Sequence, residues 1–459
     1  MAQRVCFYFQ VHQPYRLRDL RYADVGESNE TYFDDEKNRA IFRKVSEKCY
    51  LPANATILRM LKANPDFHVS YSLSGVFLDQ CAEYGPDVLR SFQELAETGQ
   101  VEFLAETYYH SLSSIKSLRE FCEQVTKHVA TVKKLFGQTP TVFRNTELIF
   151  NNEIAQIVRL MGFEGIVTEG TDRHLAGRTP NVPHRTPSFR LPRAAEAVIA
   201  KHRPHAKASK TIDVLLKNYK LSDDVAFRFS DKNWSCHPLH SDTYANWILD
   251  TPGHSVNLFM DYETFGEHQW ADTGIFQFLE SLPSQFAARG VRACTPSRVV
   301  EEWDAKHPTY DVHETISWAD TERDLSAWQG NAIQNASLEA IYTLESKVRA
   351  TKDANLMEIW RKLQTSDHFY YMCTKYWADG DVHKYFSPYE SPYEAYRRFS
   401  HALADLRVRL EGYKAGKKNR ATKKKKLPAT RSSLSARRYP LSTPRRPLTT
   451  PRSPLPAHR

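Results

Sequence analysis

The feature that most constrains this chain is the alternation of short apolar runs with longer amphipathic stretches over its first 300 residues. RVCFYFQV (4–11), HVSYSL (68–73), VEFLAE (101–106), TVFR (141–144), GIVT (165–168), Val225–Phe229 and VNLFM (256–260) read as strands. Residues 40–61, 89–98, 118–136 and 152–161 carry helical spacing between them, with Leu51-Pro52 as an internal break. A strand that returns to the same sheet through a helix is parallel to its predecessor, so the pattern specifies a parallel sheet, open or closed into a barrel. After about residue 300 the strands stop. Leu325–Lys347, Asn355–Met372 and Pro392–Leu410 read as helices and imply a helical bundle. The expected organisation is an α/β catalytic region over 1–300, a helical domain over 301–412 and a basic tail over 413–459.

The net charge of +9 belongs to that tail, which holds fifteen Lys or Arg and no Asp or Glu. The remaining 48 basic residues face 54 acids, so the body has a net charge of −6 and gives no argument for nucleic-acid binding. With seven Pro and few large apolar residues, the tail is expected to be disordered. Residues 173–210 are a second basic stretch, with nine Lys or Arg, one acid and five Pro. This stretch is expected to be a long surface loop or an insertion in contact mainly with solvent. No run of apolar residues is long enough for a membrane span, and the amino terminus lacks the pattern of a signal peptide. Seven scattered cysteines without a CxxC fit a reduced, cytoplasmic protein with neither a disulfide framework nor a zinc knuckle.

Polar residues just beyond strands are the candidates for chemistry, because catalytic groups of such folds sit at the carboxyl ends of strands. The first strand offers His12 and Gln13, the third Glu102 and His110, and the fourth Arg144 and Glu147. The last offers Asp261, Glu263, His268 and Trp270, and the start of the helical region adds Trp318, Asp324 and Trp328. Paired carboxylates with aromatics suit glycoside hydrolysis, in which one attacks the anomeric carbon and the other protonates the departing oxygen. Aromatic faces stack on sugar rings while His, Asn and Glu bind hydroxyls. Structural roles compete: Glu147 also fits a charge at a helix start, His12 a core histidine, and Glu102 a salt bridge within a strand. Asp261, between Met260 and Tyr262, would be costly as an idle carboxylate. No HExxH, GxSxG or phosphate-loop pattern occurs.

The chain resembles glycoside hydrolase family 57, in particular its α-amylase-like branch. The resemblance rests on His12-Gln13-Pro14, GQVEF (99–103), FRNTEL (143–148), MDYETFG (260–266) and ISWADTERDLSAW (316–328), in family order across residues 3–410. It implies an incomplete (β/α)7 barrel followed by a C-terminal helical bundle domain, and a retaining mechanism on α-1,4-glucans without metal or cofactor. Glu147 would be the nucleophile, Asp261 the general acid/base and Glu263 a substrate contact. The implied partner is an α-glucan polysaccharide or maltooligosaccharide. Hydrolysis and glucan transfer or branching share the same glycosyl-enzyme and are not separated by these motifs. A non-catalytic glucan-binding protein and a metal-dependent deacetylase on a related barrel are the readings from other classes.

Overall fold

Seven of the eight residues of β1 (Arg4–Val11) are buried, as its continuous apolar run requires of a parallel strand covered on both faces. This computed structural model describes residues 3–27, 32–375 and 386–424, with backbone alone from 414 to 424. β1 lies parallel to β2 (Val69–Leu73) and β7 (Ser255–Asp261), and β2 lies parallel to β3 (Val101–Phe103). A second parallel sheet orders β4 (Val142–Arg144), β5 (Gly165–Glu169) and β6 (Asp213–Lys217). A short β8 (Arg292–Ala293) also pairs with β1.

The two sheets meet at both edges. A parallel bridge joins Ala105 to Phe143, where Arg144 N donates to Ala105 O at 2.8 Å. Opposite, Asn218 N donates to Asn257 O at 2.8 Å, and the Asn257 side chain donates to Leu216 O at 3.0 Å. A side-chain amide thus replaces part of a backbone ladder. Along β1 the period of two divides the core. Val5, Phe7, Phe9 and Val11 join the larger cluster with the helices, whereas Cys6 and Tyr8 join Leu104, Val142, Val167, Leu215 and Phe259 between the sheets. The result is a mixed α/β fold of parallel sheets and helices, and the carboxyl ends of its strands point the same way.

Met1–Gly412 pack as one compact unit, within which the expected α/β and helical parts both lie; Tyr413–Arg459 form the second. Among the described residues no strand follows Ala293. The expected helix Leu325–Lys347 is cut into Ser326–Gln329, Ala332–Tyr342 and Glu345–Thr351, the second starting where the Asn331 side chain caps Gln334 N. Likewise Asn355–Met372 divides into Ala354–Lys362 and Ser366–Tyr370. The last helix, Pro392–Lys424, runs into the segment expected to be disordered; residues 425–459 of that expectation lie outside the described residues.

Three further expectations are corrected. Val225–Phe229 is not a strand: Val225 and Ala226 end the helix Tyr219–Ala226, which the Asn218 side chain caps at Leu221 N. The strand there is β6, DVLLK, which ends one residue before that cap. Nor does Leu51-Pro52 break the helix, because Asp35–Val45 passes through a wide turn at Ser46–Tyr50 into Leu51–Ala63 with Pro52 in its first turn. Residues 173–210 are not a solvent loop. They contain the helix Arg193–His202 with Ile199 buried, His184 bridges β6 at Val214, and Arg185 pairs with Asp213 at 2.8 Å. Of its cations, Arg185 is met by an acid 28 positions away, while Arg173, Arg178, Arg190, Arg193, Lys201, Lys207 and Lys210 are exposed.

Charge also ties the helical part to the α/β part. Glu120 and Glu123 on the helix Leu118–Phe136 face Arg349 and Arg361 at 2.5–2.7 Å, with Glu120 wholly buried. Arg361→Met leaves the buried Glu120 with one cation and is expected to lower the unfolding free energy by about 3 kcal/mol. The urea midpoint reads this directly. A shift below about 1 kcal/mol would mean that Arg349 suffices alone.

Candidate active site

Strand ends and the segment after residue 316 enclose a cavity of about 570 Å³. Of the residues expected there, His12, Gln13, His110, Arg144, Glu147, Asp261, Glu263, His268 and Trp318 line it. Glu102 does not: it alternates away from the cavity along β3 and accepts from Ser297 N at 3.1 Å and Oγ at 2.9 Å. Asp324 caps its own turn by accepting from Ser326 N at 2.8 Å. Trp328 is 1% exposed in the core, and Trp270 is 60% exposed outside this cavity. These four are withdrawn from the site.

Glu147 follows β4 in a left-handed conformation at φ 56°, ψ 27°, and both Leu148 (φ 50°) and His110 (φ 48°) share that region. Positive φ at three such residues costs on the order of 1–3 kcal/mol each and persists only where neighbours fix it. Neighbours do so here. Phe150 and Ile316 exchange backbone hydrogen bonds at 2.9 Å, and Trp318 N donates to Glu147 O at 3.2 Å. The segment 316–318 thereby clamps the turn that aims Glu147. Trp318 Nε1 then donates to Glu147 Oε2 at 2.8 Å, and His110 Nε2 lies 3.0 Å from Oε1.

His110 is engaged on both nitrogens, since Nδ1 lies 3.0 Å from the buried Glu106. Burial opposes its charge, but the two carboxylates outweigh burial and lift its pKa to about 9. The imidazolium therefore donates to both. Burial likewise opposes charge on Glu106, yet His110 and Arg144 hold it at about 2. For Glu147 burial again works upward, and His110, Arg144 and Trp318 prevail, holding it below the usual carboxylate range. His12 stacks on His110 with ring centroids 3.9 Å apart, and its own nitrogens meet Ser74 Oγ at 2.7 Å and Asp367 Oδ2 at 2.9 Å. Both ring nitrogens of each histidine already have protein partners, an arrangement that suits positioning of neighbouring side chains.

The second carboxylate behaves oppositely. Burial raises the Asp261 pKa, and the charge of Glu147 raises it further, to about 6. Glu263 is pushed up to about 8 by burial and by Asp261 beside it. The Tyr50 hydroxyl donates to Glu263, and Gln13 Nε2 donates to that hydroxyl at 3.1 Å. The cavity thus separates an acid held ionised, Glu147, from two whose pKa values are lifted to about 6 and about 8, the division that acid–base catalysis by carboxylates needs.

Arg144 is fully buried, 5.3 Å above the Trp318 ring and 3.8 Å from Glu106, and none of its three guanidinium nitrogens has a hydrogen-bond acceptor among the described residues. Its field lowers both Glu147 and Asp261. Arg144→Met is expected to raise both pKa values, so the alkaline limb of kcat/KM moves to higher pH while the acidic limb moves up with it. A pH profile that keeps both limbs in place, in a folded variant, would remove Arg144 from this role.

Several residues that line the cavity or hold its walls were not legible in the sequence. Lys217 ends β6, the strand displaced by the misreading of Val225–Phe229, and pairs with Asp223 at 3.1 Å. Asp367 reaches His12 across 355 positions, and no local pattern announces such a contact. Tyr50 points inward from a wide turn where the sequence suggested a break. Among the described residues no three His, Cys, Asp or Glu side chains are gathered as a metal ion would require.

The sequence matches the model of Glycosyl hydrolase family 57 over residues 6–316. The chain belongs to that family. It is 40% identical to a putative alpha-amylase of Methanocaldococcus jannaschii over 414 residues, covering 88% of this chain and 84% of the relative. The GH57-type branching enzyme of Pyrococcus horikoshii shares the fold with a TM-score of 0.58 at 14% identity, over 88% of this chain and 96% of that one. The 4-alpha-glucanotransferase of Thermococcus litoralis matches with a TM-score of 0.56 at 15% identity, over 80% of this chain and 56% of that longer one. As a family 57 member the chain is a glycoside hydrolase in the broad sense that includes transferases. Four of its five family motifs supply Gln13, Glu147, Asp261, Glu263 and Trp318 to the cavity, and the second, GQVEF, supplies none of its lining.

Proposed function

We propose that the protein is a retaining α-1,4-glucan hydrolase of the α-amylase type, working through a covalent glycosyl-enzyme. The observation that carries this reading is the opposite tuning of two carboxylates in one cavity, Glu147 held ionised and Asp261 lifted to about 6. Glu147 attacks the anomeric carbon, while Asp261 gives its proton to the departing glycosidic oxygen. Asp261, now ionised, takes a proton from water as that water displaces Glu147, and two inversions restore the α configuration. Trp318 and the imidazolium of His110 fix the two oxygens of Glu147, and Glu263, Arg144 and His268 complete the wall around the reacting sugar. The relative named putative alpha-amylase supports the substrate class.

The two parallel sheets, joined at Ala105–Phe143 and at Asn218–Asn257, support an incomplete (β/α)7 barrel, with the helices after residue 326 as its bundle. Seven cysteines without a disulfide support a reducing compartment. No described helix is long and apolar enough to cross a membrane.

Transfer is the second reading, favoured by fold neighbours named as a glucanotransferase and a branching enzyme. The chemistry differs only in whether water or a sugar hydroxyl displaces Glu147. Incubation with maltoheptaose and sizing of the products decides the matter. Shorter chains alone mean hydrolysis and a ladder of longer chains means transfer. Unchanged maltoheptaose, together with glucan binding, would point to a binding protein.

A further inference from the structure

The two elements that hold Glu263 turn their other sides toward a second cavity. On the wide turn Ser46–Tyr50, Tyr50 points inward to Glu263 while Glu47 and Lys48 are exposed. On the loop 262–270, Glu263 and His268 line the catalytic cavity while Gly266 and Trp270 line the other one. This second cavity measures about 570 Å³ and is bounded by Glu47, Lys48, Pro52, Trp270, Asp272 and Phe276.

The exposed indole is not on a loose loop. Gly266 N donates to Gln269 O at 2.9 Å, Gln269 N to Thr264 O at 3.0 Å, and the Gln269 side chain to Ala226 O at 2.9 Å. Gly266 has φ +113°, and a Cβ there would lie 1.9 Å from Lys48 O, so loop and turn are pressed together where only glycine fits. Glu267 clamps the same joint by pairing with Lys44 at 2.6 Å and Lys48 at 3.6 Å. Lys48 Nζ stands 5.6 Å from the Trp270 ring centroid. An aromatic face is thereby held fixed toward solvent, with a cation and two carboxylates around it. Charges of both signs give no cause to hold an ion. They do supply donors and acceptors for hydroxyl groups, and the indole supplies a surface for the apolar face of a sugar ring.

We infer that this groove is a second α-glucan-binding platform, separate from the catalytic cavity and built on the reverse side of the loop that carries Glu263. The inference rests on the α-glucan reading above. A polymer chain anchored there stays at high local concentration beside the cavity, whereas a short oligosaccharide gains nothing from it.

The test uses native gels containing glycogen and the full chain carrying Glu147→Gln, so that the matrix is not digested. That protein should be retarded, and adding Trp270→Ala should weaken its apparent glycogen affinity about tenfold, with Trp270→Phe between the two. Lys48→Ala alters the rim without touching the indole and should weaken retention by about two- to threefold. With Glu147 intact, Trp270→Ala should keep maltoheptaose turnover within about twofold while KM for soluble starch rises about five- to tenfold. Equal retardation of the Trp270→Ala and parent proteins overturns the inference, as does a parent protein that is not retarded. If maltoheptaose is turned over in either case, the catalytic reading stands without the platform. If no α-glucan is turned over or bound, both readings fall.

Discussion

Glu147→Gln is expected to lower maltooligosaccharide turnover by about four orders of magnitude while leaving the fold intact. The amide keeps the shape and a hydrogen-bonding oxygen for Trp318, but it provides neither a nucleophile nor a charge to stabilise the oxocarbenium-like transition state. It also removes one of the two acceptors that keep His110 protonated, so the His110 pKa should fall from about 9. Glu147→Ala tests the covalent step itself. Azide should enter the space left by the carboxylate and restore part of the activity, and its product should be the inverted β-glycosyl azide, because azide then replaces the nucleophile. Near-normal cleavage of maltooligosaccharides by Glu147→Gln would overturn the assignment. An α-glycosyl azide from Glu147→Ala would show instead that Glu147 is not the attacking group.

The second large effect belongs to Asp261. Asp261→Ala should reduce cleavage of unactivated α-glucans by about 10²–10⁴, the range for loss of a general acid, and spare substrates whose leaving group needs no proton. Azide should there give a product of retained configuration, because Glu147 still forms the intermediate. The pH dependence follows with a definite sign. The acid must carry its proton and its pKa is lifted to about 6, so kcat/KM should fall about tenfold per pH unit above that value. Protons held by Glu263 near 8 and by His110 near 9 leave only at higher pH and do not produce that limb. Asp261→Ala, assayed on an activated glycoside, should lose the limb. Its persistence would assign the titration to another group.

The proposed pairing of roles would account for the unfavourable geometry of the site. His110, Glu147, Leu148, Asp320 and Arg323 adopt left-handed backbone, a guanidinium is buried without a hydrogen-bond acceptor among the described residues, and two histidines are stacked. Together they keep one carboxylate charged within a few ångströms of a histidine cation while a second, in the same cavity, is deprived of solvent. Such local conflicts are expected where function overrides packing.

Much of the fold was legible from residue pattern alone. β1, β2, β4, β5 and β7 are short, mainly apolar runs that end at turn or charged residues, and their observed limits fall within one or two residues of the runs. Parallel strands buried on both faces are mostly apolar, and this is the signal the sequence carries most clearly. β6 was missed because DVLLK is short and flanked by lysines, while Val225–Phe229 imitated a strand from inside a helix. Segment 173–210 was misread for a related reason. Its charge looks solvated until Asp213 is brought to Arg185 by the sheet.

By itself the sequence determined the family and pointed to two carboxylates at strand ends, Asp261 between apolar neighbours and Glu147 beside a cation, inside five ordered motifs of family 57. Only the tertiary structure decided which polar residues serve them. Glu102 and Glu106 are four positions apart, yet β3 ends between them. The first therefore caps a helix at Ser297, and the second reaches His110. The loop 262–270 folds back on Glu263 O and Thr264 O, which sends His268 inward and Trp270 outward. Asp367 comes to His12 only because the helical part packs over the strand ends. Residue type and apolar periodicity are local properties and can be read along the chain. Direction and partner depend on backbone hydrogen bonds closed over long separations, and these exist only once the chain is folded.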